Sequence, residues 1–156
     1  MKHLNDYITE KLKINKNIKI KEYSYHPKNY DELVDLIEQF LRANENANLN
    51  MIDISNIDSL SYLFEFTDPH NIDISEWDVS HVKRFTGMFE GCENFDCDLS
   101  DWNISSAADI DEMFRDCKSL KSTNFNKWKI DNELDAFNTF KGCDKNIVPK
   151  WYKGDK

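Results

Sequence analysis

Apolar residues return along this chain at a fixed spacing of 25 or 26 residues. The columns with this spacing are a phenylalanine column (Phe64, Phe89, Phe114, Phe140), a tryptophan column (Trp77, Trp102, Trp128) and a cysteine column (Cys92, Cys117, Cys143). A fixed period in several columns is typical of repeat proteins, in which each unit buries its apolar side chains against its neighbours. The sequence therefore predicts four units, at residues 51–75, 76–100, 101–126 and 127–152.

Within each unit the spacing of apolar residues changes from helical to alternating. One column holds good helix N-cap residues (Ser55, Ser80, Ser105 and Asp131). Residues at helical spacing follow, such as Val82, Phe85 and Phe89, and Gly91 then stands where a helix C-cap favours glycine. Alternating residues such as Cys97 and Leu99 indicate an extended segment. The predicted fold class is α/β, a β-α repeat solenoid with one short helix and one short strand per unit.

The residues before the repeats predict an N-terminal cap. Residues 31–44 carry the apolar stripe of an amphipathic helix, and Asn29 with Glu32 supplies its start signal. Residues 18–21 alternate like an edge strand, and residues 5–13 predict a further short helix. The predicted domains are therefore a basic arm with a capping helix (1–50), the repeat solenoid (51–152) and a tail (153–156).

Charge is distributed unevenly over the 156 residues. The net charge is −9, whereas residues 1–28 hold seven lysines and three acidic residues, a net +4, so the remainder carries −13. Phosphate repels such a surface, so nucleic acid is not expected as a partner of the repeats. No apolar run is long enough to span a bilayer, and the polar N-terminus does not resemble a secretory signal, which together favour a cytoplasmic or virion-associated protein.

No motif points to catalysis. The chain has no glycine-rich phosphate loop, nucleophile elbow or pair of closely spaced histidines, so we expect neither an enzyme nor a cofactor. The four cysteines form no Cys-x-x-Cys pair, which argues against zinc. They are expected to fill the core as small apolar side chains, although a metal or redox role is the alternative interpretation.

The repeat motif resembles a known family. Its residues Trp77, Ser80, Met88, Phe89, Gly91 and Cys92 resemble the BspA-like leucine-rich-repeat surface proteins, and the likeness runs through residues 51–143. This resemblance implies a solenoid of the leucine-rich-repeat type that binds other macromolecules, often at a bacterial surface. Residues 4–19 are similar to N-terminal segments of proteins from gut-bacterial phages and prophages.

The candidate binding residues are acidic and aromatic. They are Asp73, Asp78, Asp98, Asp101, Trp77 and Trp102. The aspartates are expected on the outward face, where they either attract a basic partner or only keep the protein in solution. The tryptophans either present an aromatic surface or pack in the core. The sequence thus predicts a non-enzymatic module that binds a protein partner, with a structural or accessory phage protein as the alternative; it leaves the oligomeric state open.

Overall fold

A computed structural model describes residues 22–43, 47–67, 69, 71–130 and 133–154. Helix α1 comprises Tyr30–Ala43, and two short 3-10 helices comprise Phe125–Lys127 and Lys145–Ile147. The described part of the chain contains no named β-strand. Its only β-type pairing consists of isolated parallel bridges between residues 25 to 27 positions apart, such as Ser59 with Arg84 and Arg84 with Asp109.

The predicted fold class, an α/β solenoid of the leucine-rich-repeat type, is therefore wrong. Among the residues that the structure describes in each unit, neither the expected helix nor the expected strand forms. Nine residues of each unit instead form a run of overlapping turns, which we call a turn segment. The four turn segments are residues 59–67, 84–92, 109–117 and 135–143.

Alternate turns of a turn segment contain a residue with left-handed backbone. In the first segment the N–H of Leu63 donates to the carbonyl of Leu60, and the N–H of Thr67 donates to that of Phe64. The third residues of these two turns, Tyr62 and Phe66, have φ of 61° and 51°. A positive φ at this position is the signature of a type II turn. Because the segment has left-handed residues four positions apart, an α-helix cannot propagate through it.

In the first three turn segments, every second N–H donates to the next unit instead of its own. The N–H groups of Leu60, Tyr62, Phe64 and Phe66 donate to the carbonyls of Arg84, Thr86, Met88 and Glu90, each at 2.9 Å. The second segment repeats this pattern onto the third, and the third onto the fourth, at 2.7 to 3.0 Å. These bonds hold the units in register.

The phenylalanine column forms the centre of the core. Phe89 is fully buried and lies parallel to Phe64 and to Phe114, with 5.5 Å between ring centroids on each side. The thiol of Cys92 donates to the carbonyl of Phe64 at 2.9 Å, and Cys117 does the same to Phe89 at 3.1 Å. The cysteines therefore fill space in the core and also satisfy carbonyls of the preceding unit.

The predicted serine caps serve a different purpose. The N–H of Ser80 donates to Oδ1 of Asp78 at 3.1 Å, and Ser55 and Ser105 donate in the same way to Asp53 and Asn103. These are Asx turns, in which a short polar side chain accepts from the backbone two residues later. Asp131 lies outside the described residues.

The N-terminal helix is confirmed. It begins after Asn29, whose side chain accepts from the N–H of Glu32 at 2.9 Å, and it buries Leu33 and Ile37. The hydroxyl of Tyr30 donates to the carbonyl of Ser61 at 2.7 Å, so α1 packs against the first turn segment. The predicted helix at 5–13 and the edge strand at 18–21 fall outside the described residues.

Stacking of the phenylalanine rings predicts a large loss of stability when one of these side chains is truncated. Replacing Phe89 by Ala removes a fully buried ring and leaves a cavity, so the free energy of unfolding should fall by about 3–5 kcal/mol. Phe137→Ala is the control, because its side chain is 54% exposed. Urea denaturation of both variants measures the difference, and equal midpoints would contradict the stacked core.

Candidate interaction surface

Three of the four predicted acidic residues close turns. Asp73, Asp78 and Asp98 each accept, through Oδ1, from the N–H and the hydroxyl of the serine two residues later. The Ser100 hydroxyl bond is the first cause that lowers the pKa of Asp98, and the Ser80 hydroxyl has the same effect on the pKa of Asp78. Asp101 is exposed and lies 3.2 Å from Nζ of Lys127.

Trp77 and Trp102 lie in the core. Each is 3% exposed, and each indole N–H donates to a backbone carbonyl 28 residues earlier in the chain, that of Leu49 at 2.9 Å and that of Ile74 at 3.1 Å. A buried indole needs such an acceptor, and these bonds provide it. Of the two interpretations of these tryptophans, packing in the core is therefore the one that the structure shows.

Exposed aromatic residues occur in the first turn segment instead. Tyr62 is 49% exposed and Phe66 is 70% exposed, although most apolar residues of the segment are buried. Both occupy left-handed positions, where the second segment has Gly87 and Gly91 with φ of 56° and 73°. A side chain in left-handed backbone costs roughly 1–2 kcal/mol relative to the right-handed form. The exposed rings are thus placed where folding favours glycine.

The two glycines explain how the rings are held. A Cβ added to Gly87 would lie 2.6 Å from the Tyr62 ring, and one added to Gly91 would lie 2.3 Å from the Phe66 ring. One side of each ring therefore packs directly against the backbone of the next unit. Much of the remaining surface of each side chain is exposed to solvent.

A groove begins beside Tyr62. It has a volume of about 450 Å³ and lies between the start of α1 and the first unit. Its lining includes Lys28, Tyr30, Asp58, Ser61 and Tyr62. We call Tyr62, Phe66 and this groove the aromatic surface.

Carboxylates surround the aromatic surface. Partial burial is the first cause that raises the pKa of Tyr62, and the carboxylates of Glu65, Glu112, Asp109 and Glu90 raise it further. Burial and then the charge of Glu112 also raise the pKa of Glu90. Over the four turn segments the sequence holds seven acidic residues and three basic ones, a net −4.

One of the three cations of the turn segments, Arg115, forms ion pairs within the stack. Its Nη1 lies 2.7 Å from Oε1 of Glu112 and 3.5 Å from Oε1 of Glu90, and its Nε lies 3.7 Å from Oδ2 of Asp116. The pKa of Asp111 is raised, first by burial. A bond from the N–H of Phe137 lowers it, and the charges of Asp109, Asp135 and Glu112 raise it further. The repeat pairing thus brings acidic side chains together without enough cations to neutralise them.

Among the described residues, buried and half-buried cysteines have raised pKa values and the possible metal ligands are not clustered. Burial raises the pKa of Cys97 and of Cys143 to about 11, so both thiols are protonated at neutral pH. The described ranges contain no group of three or more His, Cys, Asp or Glu side chains that could hold a metal ion. They also contain no helix with the length and apolar character needed to cross a membrane.

Comparison with known proteins places the chain in a family. Residues 34–151 match DUF285, described as a Mycoplasma protein of unknown function. This match covers most of the chain, which therefore belongs to the DUF285 family. The matched family model is not one of leucine-rich repeats, so the resemblance to leucine-rich-repeat surface proteins is wrong, and no family match supports the resemblance to phage proteins. Neither the curated proteins nor the solved structures yield a match.

Sequence reasoning missed Tyr62 and Phe66, although a signal was present. In the aligned columns, Tyr62 stands where the later units have Gly87, Glu112 and Asn138, and Phe66 stands where they have Gly91, Asp116 and Gly142. A bulky aromatic in a column of glycine, asparagine and acidic residues is not a core residue. Only the positive φ shared by these columns shows why.

The turn-closing carboxylates predict a pH dependence. The pKa of Asp98 is lower in the folded chain than its ordinary value of 3.8, so its ionised form stabilises the fold above pH 3.8 and this contribution is lost as the pH falls through the lower folded value. Asp98→Asn keeps an acceptor but removes the charge, so its difference in stability from wild type should shrink on acidification. Asp101→Asn, at a residue that closes no turn, is the control. Urea denaturation at neutral and acidic pH measures both, and parallel curves for wild type and Asp98→Asn would refute the assignment.

The contact between Phe66 and Gly91 predicts that substitutions at these two residues have coupled effects on stability. Gly91→Ala should destabilise the fold because φ is 73° and the new Cβ would meet the ring of Phe66 at 2.3 Å. In a Phe66→Gly background only the cost of the left-handed backbone remains, so the same change should be less harmful. A double-mutant cycle in urea measures this coupling. Additive effects would show that the ring does not rest on Gly91.

Proposed function

We propose that this protein is a non-enzymatic interaction module that binds a protein partner through its aromatic surface. The observation that supports this most is the placement of Tyr62 and Phe66 in left-handed backbone with much of each ring in solvent. Strained residues that do not serve the core are typical of functional sites.

The geometry suits a partner for an energetic reason. Tyrosine and other aromatic residues contribute strongly at interface centres, because they bury a large area at little cost in side-chain entropy. Here the two rings are already held against Gly87 and Gly91, so ordering them on binding costs little. The adjacent groove provides a concave region beside the rings.

Substitutions taken from the other units test this function. Tyr62→Asn and Phe66→Gly introduce the residues found at Asn138 and Gly91, which have positive φ in their own units. The double variant should fold with at least wild-type stability and should fail to capture proteins that the wild type captures from a cell extract.

The matched control is Phe137→Thr. It removes another exposed ring, from the fourth unit, and introduces the residue found at Thr86 in the second. This control should capture the same proteins as the wild type. If the Tyr62/Phe66 double variant captures them equally well, the aromatic surface is not the binding site.

A further inference from the structure

We propose that the aromatic surface binds an arginine-containing segment of a partner protein. This inference rests on the proposed function and specifies the chemistry of the partner. It is carried by two features of the same site, the exposed ring faces and the negative charge around them.

The first feature selects a side chain that stacks on aromatic rings. Tyr62 and Phe66 keep 49% and 70% of their surface exposed, while their other sides rest on glycine backbone. A guanidinium ion is attracted to the face of an aromatic ring, and its flat, weakly hydrated shape allows it to stack there. An aliphatic partner would gain the contact area but not this electrostatic attraction.

The second feature selects a cation. Glu65 is half-buried near Tyr62, and Asp58 is exposed and lines the groove. Neither carboxylate has a salt-bridge partner among the residues that the structure describes. Glu90 and Glu112 add negative charge, and Arg115 balances only part of it. The lining of the groove holds one cation, Lys28, and one carboxylate, Asp58. The excess of negative charge lies outside this lining, around the ring of Tyr62, at Glu65, Glu90 and Glu112.

Arginine satisfies both features at once. Its guanidinium stacks on a ring while its N–H groups donate to carboxylate oxygens in a planar, two-point arrangement. Lysine is a compact, strongly hydrated charge that matches the carboxylates but stacks less well. Nucleic acid is disfavoured, because its phosphates would meet a net negative surface.

Binding of short labelled peptides to the full chain tests the proposal by fluorescence anisotropy. The probes are peptides of alternating arginine and glycine, lysine and glycine, and glutamate and glycine. The arginine peptide should bind most tightly, the lysine peptide more weakly and the glutamate peptide not detectably. Affinity for the arginine peptide should fall by about tenfold or more when the salt concentration rises from about 0.05 M to about 0.5 M.

Two double variants test the contributions of the rings and of the charges to binding separately. Tyr62→Asn with Phe66→Gly, and separately Asp58→Asn with Glu65→Gln, should each weaken binding of the arginine peptide by about tenfold. The matched control, Asp101→Asn with Glu38→Gln, removes two exposed carboxylates outside the aromatic surface and should leave the affinity unchanged. Equal weakening by the control would show non-specific attraction and overturn the proposal.

The other occupants give distinct results. Equal affinity for the arginine and lysine peptides would overturn the stacking role of the rings. Concentration-dependent dimerisation of the chain alone, abolished by Tyr62→Asn with Phe66→Gly, would assign the surface to a second copy and also overturn the proposal. If extract proteins are lost by the ring variant but retained by Asp58→Asn with Glu65→Gln, the proposed function stands and the arginine preference fails.

Discussion

The hydrogen bonds between units are the constraint on which the rest of the fold depends. In the first three turn segments every second N–H donates to a carbonyl of the next unit, as Tyr62 does to Thr86 and Gly87 does to Asp111. The remaining turn bonds close within the unit. In an isolated unit, the N–H groups that bond to the next unit would lose their acceptors. A buried peptide group without a partner is costly, so the isolated unit would be unstable. Each unit therefore needs its neighbour for its backbone as well as for its apolar side chains.

The period of the repeat could be predicted from the sequence, but the conformation within it could not. Positions 85, 88, 89 and 92 are all buried, and this spacing of three, one and three residues is also that of one face of an α-helix. Overlapping turns produce the same burial pattern, so the periodicity of apolar residues does not distinguish the two structures. The distinguishing signal is the pair Gly87 and Gly91, four residues apart, because a helix interior disfavours glycine and these turns require positive φ.

The acidic residues show why the site was harder to predict than the period. Asp78 and Ser80 have the spacing of an Asx turn, and the same spacing recurs at Asp98 with Ser100. A sequence in which such carboxylates recur resembles one with an acidic binding strip, because both place aspartate at regular intervals on the surface. The two cases differ in whether the aspartate side chain accepts a hydrogen bond from the backbone of its own turn. Asp101, which closes no turn, is the only one of the four predicted aspartates whose carboxylate is left outside this local bonding.

The aromatic surface uses the one part of the repeat in which the side chain is not dictated by the core. Outward left-handed positions tolerate glycine at Gly91, an acidic residue at Asp116 and a large ring at Phe66, while the hydrogen bonds between units stay the same. The left-handed backbone penalises Phe66, and contact with Gly91 returns only part of that cost, since 70% of the residue remains in solvent. A partner that covers the exposed face would supply the missing burial. The same arrangement that makes the ring a poor choice for folding leaves it supported on one side by Gly91 and accessible on the other, which is what a binding residue needs.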